Sequence, residues 1–216
     1  MSSQYSFTTR RVIIYREAVS RWQSDARGRL ERAAVELFVE QGFAATTVPQ
    51  ITARAGLTTR TFFRHFADKR EVLFDGDEIP AYATRLMREA PPALDPMTLI
   101  VQGLRTVAES RFEGRADELR VRRDIIRSDA GLRERDLRKR AALADAIRQG
   151  FLDRGVDART GTLAAEISVS VLYTALEQWL DQNDDRPLFN IVLDTLDALQ
   201  DLLTTPTLRD RRRPSA

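Results

Sequence analysis

Between Gly56 and Phe74 the chain reads GLTTRTFFRHFADKREVLF, and the two halves of that stretch carry different chemistry. Thr58, Thr59 and Thr61 supply short hydroxyls, and Arg60 and Arg64 supply guanidinium forks. His65, the chain's one histidine, and Lys69, one of its two lysines, follow. Hydroxyls and guanidiniums at this density suit phosphate oxygens, and an Arg fork also matches the acceptor pair on a guanine edge. Interleaved with them are Phe62 and Phe66, whose rings need an apolar seat. The abrupt change predicts a short helix with an outward-facing first turn and a back end held against a scaffold.

Other chemistry is scarce. The chain has no cysteine, which excludes disulfides and zinc–thiolate sites. A single histidine removes His-rich metal sites and the Ser-His-Asp arrangement outside this segment. There is no Gly-rich phosphate loop, and Asp184-Asp185 precedes Arg186-Pro187 as a helix cap would. The reading is therefore a protein without catalysis, metal or cofactor.

The elements that must position the stretch are helical throughout. Leu30, Ala33, Ala34, Leu37, Phe38 and Gln41 recur at three and four, predicting a helix over 25–41 that Gly42 stops. Thr47 and Gln50 form a capping box with Pro49 in the first turn, predicting a short second helix that ends at Gly56. Thr58 caps a third helix running to His65. Asp68 and Glu71 open a fourth that runs to Glu89, bent or interrupted at Gly76 and Pro80. Two short helices across AGLT, with Ile51, Ala55, Leu57 and Phe62 apolar, make a helix-turn-helix. Pro91-Pro92 marks the best internal break. Helices then follow over 95–112, to Ser128, over 132–154, over 157–182 and over 187–203. The fold class is all-α, with about nine helices.

Hydrophobic residues make up 43% and charged residues 31%, which fits a globular chain. Net charge is only +2, but residues 1–75 hold twelve Lys or Arg against eight Asp or Glu, so the excess lies at the N-terminal end. That bias favours a polyanionic partner there. No apolar run is long enough for a membrane span or signal peptide, so the expected location is cytoplasmic, without membrane contact.

From Ala26 to Phe74 the chain resembles the TetR family of one-component transcriptional regulators. The resemblance rests on AAVELFVEQGF, on TTVPQITARAGL and on TRTFFRHFADKREVLF, with its aromatic-x-His-Phe-x-x-Lys ending. It implies a DNA-binding head over 25–75. Thr47 and Gln50 would lie near the DNA backbone, and Thr58, Thr59, Arg60, Thr61 and Arg64 would face the groove. His65 and Lys69 would meet phosphates. Phe63 stands where the family usually has tyrosine, so its ring can pack on sugar or thymine methyl without the hydroxyl contact.

A single such head reads few base pairs, so two are expected on a palindromic double-stranded operator. The last two helices carry apolar faces too wide for one partner. The resemblance implies that they pair across a twofold axis, through Leu172, Leu176, Trp179, Leu188, Val192, Leu196 and Leu199. Residues 76–203 would form the effector-binding and dimerisation domain, with Met97, Leu104, Phe112, Leu119, Ile126, Leu143 and Ile147 lining a ligand site or simply filling core. The run LRVRRDIIRSDAGLRERDLRKRAALADAI also resembles, more loosely, the C-terminal domain of mycofactocin-system regulators, which are associated with acyl-CoA-like ligands. It implies an apolar or anionic effector whose headgroup meets Arg122, Arg123 and Arg127; a solvated charged face is the alternative. Residues 1–24 form an extension whose Arg10, Arg11, Arg16 and Arg21 make a minor-groove arm, unless translation starts at Val19. Residues 204–216 form a frayed tail. The expected function is a ligand-responsive homodimeric repressor, with an activator of the same fold or a helical interaction module as alternatives.

Overall fold

The computed structural model describes residues 26–74, 78–182 and 185–204. The N-terminal arm and the tail beyond Thr204 lie outside the described residues. Among those described there are nine α-helices and no strand.

Helix α1, Ala26–Gln41, buries Leu30, Ala33, Ala34, Leu37 and Phe38 along one stripe. Gly42, at φ +85°, ends it in a left-handed conformation that a side chain would strain. In the loop that follows, the buried Thr46 hydroxyl donates to the Gly42 carbonyl at 2.8 Å and accepts from Gln41 Nε2 at 3.1 Å. Helix α2, Val48–Ala55, starts on the Thr47–Gln50 capping box and stops at Gly56, φ +63°. Leu57 N then reaches back to Thr52 O at 2.9 Å, closing the turn. Helix α3 is Thr59–His65, capped by Thr58 and ended where Phe66 becomes extended.

The expected fourth helix does not start at Asp68. Its carboxylate accepts from Arg70 N at 2.8 Å and Glu71 N at 3.1 Å, but only a 3-10 turn follows, Glu71–Leu73, and Phe74 is extended. Val72, Leu73 and Phe74 are all buried. Consecutive residues on an α-helix diverge by about 100° each, so three in a row cannot face one core. The chain leaves helical geometry to bury them, and α4, Glu78–Glu89, begins with Pro80 in its first turn.

Helix α5, Pro96–Val107, is capped by Asp95 and continues as a π turn, Ala108–Phe112. Helices α6, Ala116–Ser128; α7, Ala130–Asp153; α8, Ala158–Asp181; and α9, Leu188–Thr204, complete the chain. No helix among the described residues is long and apolar enough to cross a membrane.

The chain divides into two compact units, and the division at residue 75 is crossed by one segment, 124–132. The first unit holds α1–α3, the 3-10 turn and that segment. Its core includes Leu30, Phe38, Ile51, Phe62 and Phe66, together with Ile125 and Leu132. The second unit holds α4, α5, α8, α9 and most of α6 and α7, around Leu104, Phe151, Leu172, Trp179 and Ile191. Within it, the Arg154 guanidinium donates to Met87 O at 3.1 Å and Ala90 O at 3.0 Å, satisfying carbonyls at the end of α4. Arg120 does the same for α8, donating to Leu180 O at 2.9 Å and Gln182 O at 2.8 Å.

Candidate nucleic-acid interface

Helix α3 is fixed from behind by its aromatics. Phe62 and Phe66 are buried, with ring centroids 5.4 Å apart, and the exposed Phe63 meets Phe62 edge-on at 5.4 Å. Phe62 locks the helix to the core, which sends Thr59, Arg60, Phe63 and Arg64 to the opposite, solvent-facing side. Arg60 and Arg64 are four residues apart and therefore neighbours on that face. Neither has a carboxylate partner among the described residues. Arg54, by contrast, is clamped by Glu40 at 2.6 and 2.7 Å, which lowers the Glu40 pKa and raises that of Arg54. Arg70 is held by Asp68 at 3.1 Å. Two uncompensated guanidiniums flanking an exposed phenylalanine, 56% accessible, make a surface suited to phosphate, base edges and a flat apolar group together.

The threonines split by role. Thr58 Oγ1 accepts from Thr61 N at 3.1 Å and lies 3.0 Å from the Thr61 hydroxyl, so this pair builds the helix start. Thr61 is half-buried; Thr59 is exposed. Thr47 and Gln50 are exposed at the start of α2, and their side chains are engaged in capping: Thr47 N donates to Gln50 Oε1 at 2.8 Å.

Two residues expected at phosphates, Lys69 and His65, are engaged or enclosed within the chain itself. The Lys69 ammonium donates to Phe43 O at 2.7 Å, Thr46 O at 2.8 Å and Ala44 O at 3.3 Å, so its three donors are taken by the loop between α1 and α2. It also sits 4.3 Å from the Phe43 ring centroid. Burial holds its pKa below the ordinary lysine value, partly opposed by the carboxylate of Asp129. His65 is half-buried, and its Nε2 is enclosed with no hydrogen-bond partner among the described residues. Both placements have one cause: the end of α3 and the turn after it pack inward.

One contact was missed. The Arg29 guanidinium donates to the Ala55 carbonyl at the end of α2 and lies where a Cβ on Gly56 would come within 2.9 Å of it. The available signal was an arginine four residues before Ala33, on the edge of the apolar stripe. Lys69 had a signal too. In a chain with 32 arginines, a lysine suits converging carbonyls because its ammonium is a compact three-donor charge rather than a planar fork.

The second unit contains an apolar cavity of about 60 Å³. Leu104, Leu143 and Ile147, three of the residues named for a ligand site or core, line it, together with Leu86, Gly103 and Ser168. The other expected ligand residues do not converge on it. Met97 is half-exposed on an open groove of α5 beside Thr98 and Arg105. Phe112 and Leu119 pack against the core, and Ile126 packs in the core of the first unit. Arg122 is buried with Glu118 at 2.9 Å, and Arg123 pairs with Asp181 at 2.6 Å. Arg127 belongs to the first unit.

The expected dimer residues differ in how far the single chain buries them. Leu172 lines the cavity, and Leu188 and Val192 are wholly buried within the chain. Trp179 is buried, its indole N–H donating to Arg186 O at 2.9 Å. Helix α9 folds back on α8, so that Leu172 and Trp179 of α8 and Leu188 and Val192 of α9 share one core within the chain. Leu176, Leu196 and Leu199 are half-buried, whereas Leu163, Leu193, Leu202 and Leu203 are exposed.

Comparisons with known proteins bear on this geometry. Residues 31–75 match the family model described as bacterial regulatory proteins, tetR family. Over 46 residues the chain is 54% identical to the HTH-type transcriptional regulator TcmR of Streptomyces glaucescens, which is 21% of this chain and 20% of that protein. Over 171 residues it is 25% identical to the HTH-type transcriptional activator FasR of Mycolicibacterium smegmatis, 77% of this chain and 76% of that one. Among solved structures, a TetR-family transcriptional regulator from Syntrophomonas wolfei superposes with a TM-score of 0.58 at 16% identity, covering 86% and 98% of the two chains, a likeness of fold. The match to the tetR family of bacterial regulatory proteins thus covers the helix-turn-helix over residues 31–75, and the relatives that the chain resembles are named transcriptional regulators.

Proposed function

We propose that the chain acts as a homodimeric repressor that holds a palindromic operator through α3 and responds to a small molecule in the cavity of the second unit. The observation that carries the DNA-binding part is the outward face of α3, where Arg60 and Arg64 stand without carboxylates beside Phe63. Arg60, in the first turn, forks onto the O6 and N7 of guanine, and Thr59 bonds a phosphate or base edge. Phe63 packs on a sugar or thymine methyl. Arg64, one turn on, neutralises a phosphate.

Two copies are needed to read an operator of useful length, with half-sites about 34 Å apart on one face of the duplex. Leu193, Leu196 and Leu203 on α9 share one helical face, and Leu193 and Leu203 are exposed in the single chain. A second copy covering this stripe removes apolar surface from water, which supports a symmetric dimer. The cavity supports a response to a ligand. Occupancy must favour the form with lower DNA affinity, with a coupling energy of roughly 1–3 kcal/mol. DNA binding places the protein with the chromosome, in the cytoplasm.

Activation is the second reading, favoured by one observation: the relative matched over most of both chains is named an activator. In vitro transcription from a promoter carrying the selected operator separates the two. Transcript that falls on adding protein supports repression, and transcript that rises supports activation. Operator binding with no change in transcript would overturn both.

A further inference from the structure

Gly103 lies mid-helix in α5, where glycine weakens a helix, and nothing in the fold requires it. Its φ is not positive, and a Cβ built on it would meet no atom within 4 Å. Gly150 makes the contrast: a Cβ there would come within 2.8 Å of the Met87 side chain, so close packing explains it. Gly103 instead forms part of the cavity wall and opens onto empty space.

The rest of the wall is as distinctive. Among the described residues it contains no Asp, Glu, Lys, Arg or His, and its one polar side chain is Ser168. The Ser168 hydroxyl already donates to Ala164 O at 2.7 Å, leaving its oxygen able to accept one hydrogen bond. An ionised group inside would find no counter-charge and too few donors, so its desolvation would go unrepaid. A space of about 60 Å³ holds a few carbon atoms as it stands and admits a single ring once the flexible Met87 side chain in its wall shifts, and apolar walls keep such a space dry.

We infer that the effector is an uncharged, largely hydrocarbon molecule with at most one hydrogen-bond donor, and that Gly103 sets its size by leaving room for it. This rests on the ligand-responsive reading above and deepens it. Ser168 orients the ligand by accepting from its hydroxyl. An anionic headgroup does not enter the cavity.

The test uses the full chain at neutral pH with toluene, benzyl alcohol and benzoate, one ring with three substituents, followed by ligand-observed NMR. Gly103→Leu fills the space, and Gly103→Ala is the milder second variant should the first fail to fold. Toluene and benzyl alcohol should bind saturably and benzoate at least tenfold more weakly. Gly103→Leu should lower toluene affinity at least tenfold, and Gly103→Ala a few-fold, with a Tm no lower than that of the parent. Benzoate binding as tightly as toluene would overturn the inference, as would unchanged toluene affinity in both variants. Absence of saturable binding by any probe would overturn it too, leaving DNA binding untouched. Toluene that binds and is expelled by Gly103→Leu, yet leaves operator affinity unchanged, would uphold the cavity's chemistry and sink the ligand response.

Discussion

Lys69 holds Phe43 twice: its ammonium donates to the Phe43 carbonyl at 2.7 Å and lies 4.3 Å from the centre of the Phe43 ring. Together with the bonds to Ala44 and Thr46, this ties the turn after α3 to the loop that launches α2. Lys69→Met should therefore lower stability by about 1–3 kcal/mol, the range for charge-assisted hydrogen bonds left unmade. Because Lys69 is spent on carbonyls, the dependence of DNA affinity on salt should keep its slope. Denaturant unfolding and binding at several salt concentrations check this. A stable variant whose slope falls by about 1 would mean that Lys69 meets a phosphate after all.

Arg60 and Arg64 should separate by role. Arg60→Ala should weaken operator binding by about 1–3 kcal/mol and relax the preference at one base position. Arg64→Ala should weaken binding to all sequences alike and reduce the salt slope by about 1. Affinities for a panel of single-base operator variants measure both effects.

Asp157 caps α8, its carboxylate accepting from Arg159 N and Thr160 N at 3.1 Å each. The Thr160 side chain and these backbone N–H groups hold its pKa below the ordinary carboxylate value. A depressed folded-state pKa contributes stability that is present above the unfolded value and lost as pH falls through the folded one. Asp157→Asn keeps a capping acceptor but does not titrate. Its Tm should match the parent near neutrality and fall less steeply below about pH 4. Parallel profiles would show that the cap carries no proton linkage.

The proposed dimer face makes a paired prediction. Leu193→Glu with Leu203→Glu should leave the fold intact and yield a monomer in sedimentation, since both side chains are exposed in the single chain. Trp179→Ala should instead destabilise the chain itself by about 3–5 kcal/mol, as a truncated buried aromatic does. A charged pair that still sediments as a dimer would place the interface elsewhere.

What could be read from sequence was what repeats locally. The stripe from Leu30 to Phe38, the Thr47–Gln50 box and the Thr58 cap each depend on residues three or four apart, and all appear in the structure. Val72-Leu73-Phe74 broke the pattern because three adjacent buried residues have no helical period. Lys69 depended on carbonyls 23 to 26 residues away, at a distance that no local spacing encodes. Trp179, Leu188 and Val192 show a different limit. A wide apolar face reveals that something covers it, but not whether the cover is α9 of the same chain or a second copy. For the cavity, Gly103 carries no local signal that sets it apart from any glycine inside a helix, since what distinguishes it is the space beside it.

The central claim is that α3 reads a DNA sequence through Arg60. Selection of bound sites from a randomised duplex pool, at fixed salt, with the parent chain and Arg60→Ala in parallel, tests it most directly. The account predicts enrichment of a palindrome by the parent, with information lost at one position of each half-site in the variant. A pool that stays random under the parent chain, with binding that simply fades as salt rises, would contradict it.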